Sequence, residues 1–284
     1  MKTKKASITA IIFVFFAVFV VTMCIGSSSA VTYAYNEESQ EIYYCGGTDY
    51  TVTTETFAYA AKEVDEYSIN SSFPNYYNMN GELKNTCANA AGATIIGYYD
   101  RYYPDLIPNY TVGRIKNSKY IYYPMSHYAS LKQVVIDDLY TRMSTNIGRE
   151  GTTQNNYKVG LSSYVSSKGL SVTYNSVMTN GAFDLGKAKV QLANESPISL
   201  FLSEFNFSTV TDENNQIAIQ KKQYNSTHVV VAYGYVKTRY FNENGGLIKE
   251  ITYLKVATIL NEATGVYILN AYGSLDDAES AHIG

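Results

Sequence analysis

Apolar positions along the chain follow two periods. From Cys87 they recur at helical spacing: Ala91, Ile95, Tyr98 or Tyr99, and Tyr102 fall three or four residues apart until Pro104 stops the run. The small residues Ala88, Ala90, Gly92 and Ala93 on this helix allow a neighbouring element to approach closely. A second helix is predicted over Ser126–Ser144, with Leu131, Val135, Leu139 and Met143 on one stripe. A third is predicted over Asn155–Gly169, with Tyr157, Leu161, Tyr164 and Val165 inward and Gly169 as its stop. Strands at Leu170–Val177 and Ser196–Ser203 flank a short helix at Phe183–Glu195. The last third reads as strands: His228–Phe241 and Gly246–Leu260 around a hairpin turn at Asn242–Gly246, then Gly265–Gly273. Helices first and an antiparallel sheet after them predict an α+β fold. Residues 31–80 are polar and irregular, with one short helix expected at Glu55–Tyr67. No internal repeat or low-complexity tract is visible.

The N-terminus carries a different signal. Lys2, Lys4 and Lys5 precede an apolar run from Ile8 to Gly26, and Ser27, Ser28, Ser29 and Ala30 close it. This is the layout of a secretory signal peptide over residues 1–30, with a retained membrane anchor as the alternative. The expected location is therefore outside the cell or at its surface. The full chain has 22 Lys+Arg against 25 Asp+Glu. Losing the leader's three lysines leaves 19 against 25, a net charge of −6. An acidic chain without a basic tract is a poor nucleic-acid partner. Residues 31–74 read as an N-terminal extension or strap, and residues 75–284 as the compact domain. The 29 tyrosines suit a sheet-rich core or a surface for sugars or peptides.

Cys45 and Cys87 are the cysteines that follow the leader. An exported pair can form a disulfide. Cys87 has a second possible role, because it opens a helix. A helix start supplies partial positive charge and backbone N–H groups, which favour a thiolate and can hold a developing oxyanion. Nucleophilic use of the thiol requires a base, usually histidine. His127 reads as a capping or surface residue, and His282 lies in a tail expected to fray. His228 heads the apolar strand "HVVVAYGYV", where a side chain is held rigidly beside a cleft. No HExxH or EF-hand loop occurs, and Cys45, Cys87 and His228 follow no ligand spacing, so neither metal nor cofactor is expected.

"CANAAGATIIGYYDRY", then roughly 140 residues, then "HVVVAYGYV" and "YLKV", resembles the papain-like cysteine peptidases, and within them the bacterial C39-like branch. The resemblance spans about residues 75–283. It implies a two-lobed fold, with Cys87 on a helical lobe and His228 on a sheet lobe. It also implies an exported thiol peptidase or amidase acting on peptide or isopeptide bonds. The same residues would serve an acyl transferase, and an inactive binding protein would keep the scaffold alone. The family's His-orienting amide is not at its usual place, which holds Ala257 and Thr258; Asn261 is the nearest candidate, before Asn270. The family's upstream Gln is replaced by Gly81, with Asn80 and Asn85 nearby as possible oxyanion donors. The expected partner is a peptide or protein substrate, with membrane contact only through an uncleaved leader.

Overall fold

A computed structural model describes residues 50–69, 73–78, 82–110, 113–116, 119–122, 129–148, 150–203, 205–224, 226–260, 264–268 and 275–284, and the backbone of 32–35 and 42–47. The leader, His127, Asn80, Gly81, Asn261 and Asn270 lie outside the described residues. Short hairpins are formed by β1 (Thr32–Tyr35) with β2 (Ile42–Gly47), by β5 (Gly113–Lys116) with β6 (Lys119–Tyr122), and by β8 (Met178–Thr179) with β9 (Ala182–Phe183).

The main element is one ten-stranded sheet curled into a half-barrel. It contains β3 (Thr51–Ala58), β4 (Ala61–Ser68), β7 (Val172–Ser176), β10 (Ile198–Leu202), β11 (Phe205–Glu213), β12 (Gln216–Tyr224), β13 (His228–Phe241), β14 (Leu247–Ala257), β15 (Thr264–Ile268) and β16 (Leu275–Ile283). Their order is β3-β12-β11-β15-β14-β13-β10-β16-β7, and β4 also pairs with β13. The long strand β13 is the hub. One edge pairs with β14, and the other pairs with β10 over its first half and with β4 over its second. The pairings are antiparallel throughout.

Four helices are described: α1 (Cys87–Tyr99), α2 (Ala129–Arg142), α3 (Gln154–Ser166) and α4 (Leu185–Ala193). Alternation along β13 sorts them onto two faces. Val229, Val231 and Tyr233 pack with the buried residues of α1, α2 and α3. Val230 and Ala232 pack on the other face with Ala188 and Leu192 of α4. In α2, Val135 and Leu139 are buried, as is Met143 just past its end. In α3, Tyr157, Leu161, Tyr164 and Val165 are buried. Every residue of α1 from Ala88 to Tyr99 is buried. Close approach explains its small residues: a Cβ on Gly97 would lie 2.4 Å from the Tyr76 ring.

This arrangement overturns the expected two-lobed papain-like fold. The helices do not form a lobe facing a separate sheet lobe; they cover both faces of one dominant sheet. The physical reason is that central strands such as β10, buried at every position, are apolar on both faces and need a layer on each. The sheet is also larger than expected, because it recruits segments read as irregular. The helix expected at Glu55–Tyr67 is instead two strands. β3 pairs with β12 from Gln216↔Ala58 to Gln223↔Thr51, and β4 pairs with β13. Partner strands with open edges decided that outcome over local propensity. The hairpin of β11 and β12 turns at Asn214 and Asn215, both at positive φ (51° and 59°), which is asparagine turn chemistry. The C-terminal segment does not fray: β16 lies between β10 and β7, and His282 Nδ1 lies 3.2 Å from the Tyr99 hydroxyl.

Many tyrosines belong to the core. The buried Tyr157 hydroxyl shares a 2.7 Å hydrogen bond with Ser199, and that of Tyr164 donates to the Leu106 carbonyl at 2.8 Å. No described helix is long and apolar enough to cross a membrane.

Candidate thiol–imidazole cleft

Cys87 is the first residue of α1, and its half-buried thiol is in no disulfide. The Cys45 side chain, the expected alternative partner in a disulfide, lies outside the described residues. Asparagines hold the chain just before the helix. Asn85 occupies the left-handed region (φ 58°) and donates through Nδ2 to Asn146 Oδ1 at 2.9 Å. Asn146 in turn donates to the Lys84 carbonyl and the Tyr140 hydroxyl. Within the first turn of α1, the fully buried Asn89 donates to Thr145 Oγ1 at 3.0 Å, and Thr145 meets Thr152 at 2.7 Å. These bonds tie the start of α1 to the loop between α2 and α3. They also commit the Asn85 amide, which is 4% exposed, to Asn146 rather than to an oxyanion. The Thr86 side chain makes no capping bond. The amides of the first helical turn have no carbonyl within the helix to bond, so this terminus is the available oxyanion cradle.

A cleft of 330 Å³ opens at this helix start. The helices and the loop between them contribute Cys87, Ala88, Thr152, Thr153 and Gln154 to its lining, and the sheet contributes Phe201, Leu202, Thr227, His228, Val229, Asp276 and Asp277. The N-termini of both α1 and α3 therefore reach it. No family model, curated protein or solved structure matches this chain.

His228 is 6% exposed and hydrogen-bonds through Nε2 to the Thr258 carbonyl at 2.8 Å. A carbonyl only accepts, so Nε2 carries the proton and Nδ1 keeps the lone pair when the ring is neutral. Burial pushes its pKa from 6.5 down to about 4, against the opposing effect of the Thr258 bond. The imidazole is thus a neutral base at pH 7. His228 alternates with Val230 and Ala232 rather than with Val229 under α1, and its ring lies 6.4 Å from that of Phe207. It reaches the cleft because it heads the strand, where Val229 lines the same opening.

The residues holding His228 were only partly legible beforehand. The side-chain amide sought at Asn261 falls outside the described residues; a backbone carbonyl at Thr258 makes the described contact. That carbonyl is itself positioned. Asn75 accepts from the Ile259 amide at 3.0 Å and lies 3.5 Å from Thr258 Oγ1. Ile259 sits at φ 62°, a left-handed conformation that a β-branched residue adopts only under constraint. Pro74-Asn75 lies about 180 residues from this turn in sequence, and no pattern in the sequence links them. Among the described residues, no group of three or more His, Cys, Asp or Glu could hold a metal ion.

Proposed function

We propose that the chain is a thiol-dependent hydrolase of peptide or isopeptide bonds, exported by its leader. The observation that carries this reading is the shared cleft. It brings a cysteine in no disulfide, at a helix N-terminus, and a buried, neutral histidine together from positions roughly 140 residues apart. Cys87 Sγ attacks the substrate carbonyl carbon while His228 Nδ1 takes the thiol proton. Backbone N–H groups of the first turn of α1 hold the oxyanion. Collapse breaks the C–N bond, and the proton returns from Nδ1 to the leaving amine. The remaining thioester is hydrolysed by water, with His228 again taking and returning a proton.

The side-chain alternation of β13 favours a second reading, a binding protein in which His228 is a buried structural residue. Turnover of a quenched-fluorescence peptide library separates the two. Cys87→Ala is expected to abolish hydrolysis with melting unchanged, and His228→Ala to be similarly severe, since the pair acts as one unit. Equal turnover by wild type and Cys87→Ala would remove the hydrolase reading and leave the binding protein.

A further inference from the structure

Formal charge in the cleft is one-sided. Among the described residues no Lys or Arg lines it, and its carboxylates are Asp276 and Asp277. The two aspartates differ in what occupies them. Asp277 accepts from Gln154 Nε2 and from the Ala278 amide. Asp276 is exposed, and no hydrogen bond or ion pair engages it among the described residues.

Strand pairing explains why Asp276 stands apart. Along β10 and β16 the register runs Ile198↔Ser280, Ser199↔Glu279, Leu200↔Ala278 and Phe201↔Asp277, then shifts to Leu202↔Leu275. Asp276 is the extra residue at that shift, opposite no residue of β10. On the other edge of β16, pairing with β7 begins only at Glu279. An irregularity of this kind breaks the alternation of a strand and re-aims one side chain. Here it occurs where β16 passes the cleft, on the wall that also contains Phe201, Leu202 and His228.

We infer that Asp276 makes this cleft a subsite for a cationic group, the lysine or arginine side chain of a peptide lying across the thiol. The inference deepens the hydrolase reading and rests on it for the word substrate. Its electrostatic content is independent of turnover. A carboxylate without a protein cation at a cleft lip attracts a substrate cation and repels an anion.

The test measures the charge preference of the thiol itself. Purified protein is reacted with 2-aminoethyl methanethiosulfonate, a cation, and 2-sulfonatoethyl methanethiosulfonate, an anion. The Cys87 adduct is followed by mass spectrometry, and each rate is divided by that of a small free thiol. Wild type is expected to favour the cation. Asp276→Asn should lower the cation-to-anion ratio about fivefold, the size expected for one exposed carboxylate acting over a few ångströms of water. Asp276→Glu should restore it, and added salt should weaken it. Peptides differing only in lysine against norleucine are then compared by kcat/KM, with the preference for lysine lost in Asp276→Asn. An unchanged reagent ratio in Asp276→Asn, with melting intact, would overturn the inference even if peptides are hydrolysed. A shifted ratio with no peptide turned over would support the cation subsite and remove the hydrolase reading instead.

Discussion

Replacing His228 with glutamine exposes the cost of burying an imidazole. Glutamine keeps an N–H near the Thr258 carbonyl but does not titrate. In the folded protein the His228 pKa is about 4, and in the unfolded chain it returns to 6.5. That gap corresponds to about 3 kcal/mol at ~1.4 kcal/mol per pH unit. The direction follows from proton binding. Between pH 6.5 and 4 the unfolded chain binds the proton more readily, so acidification favours unfolding. Stability linked to His228 is present above pH 6.5, is lost as pH falls toward 4, and is lost no further below it. Between pH 7 and pH 5 the expected loss is about 2 kcal/mol. Urea unfolding of wild type and His228→Gln at both pH values isolates this contribution, because the carboxylates common to both proteins cancel. Wild type should lose about 2 kcal/mol more than the variant. The acid limb of wild-type kcat/KM should likewise fall with an apparent pKa near 4 rather than 6.5. Parallel stability curves for the two proteins would refute the buried, neutral imidazole.

Two further substitutions probe the supports of the cleft. Asn75→Ala removes the acceptor for the buried Ile259 amide and should cost about 1–3 kcal/mol in melting. By loosening the Thr258 carbonyl, whose bond raises the His228 pKa, it should also move the acid limb of activity further down, a change that loss of stability alone would not produce. Gly160→Ala places a Cβ 2.7 Å from the Met143 backbone nitrogen and 2.9 Å from the Arg142 carbonyl carbon, where neither can give way cheaply. Calorimetry should show destabilisation of about 1–3 kcal/mol despite the better helix propensity of alanine. An unchanged melting temperature would show that α2 and α3 are not held at the spacing described.

The local pattern of the chain was enough to place α1 at Cys87, to locate α2, α3 and α4 within a few residues, and to begin β13 at His228. Each of these is decided by contacts near in sequence or by an apolar run long enough to admit one answer. The thiol at a helix start and the imidazole at a strand head could be named for the same reason. The tertiary structure alone decided the rest. Whether Glu55–Tyr67 coils or extends depends on the free edges of β12 and β13, more than 150 residues away. The two-lobed expectation failed because a one-dimensional pattern does not reveal how many strands one sheet will recruit. The grip on His228 is a backbone carbonyl set by Asn75 across a turn, and a backbone carbonyl has no signature in side-chain sequence. Asp276 enters the cleft through a one-residue register shift between β10 and β16, which exists only once both strands are paired.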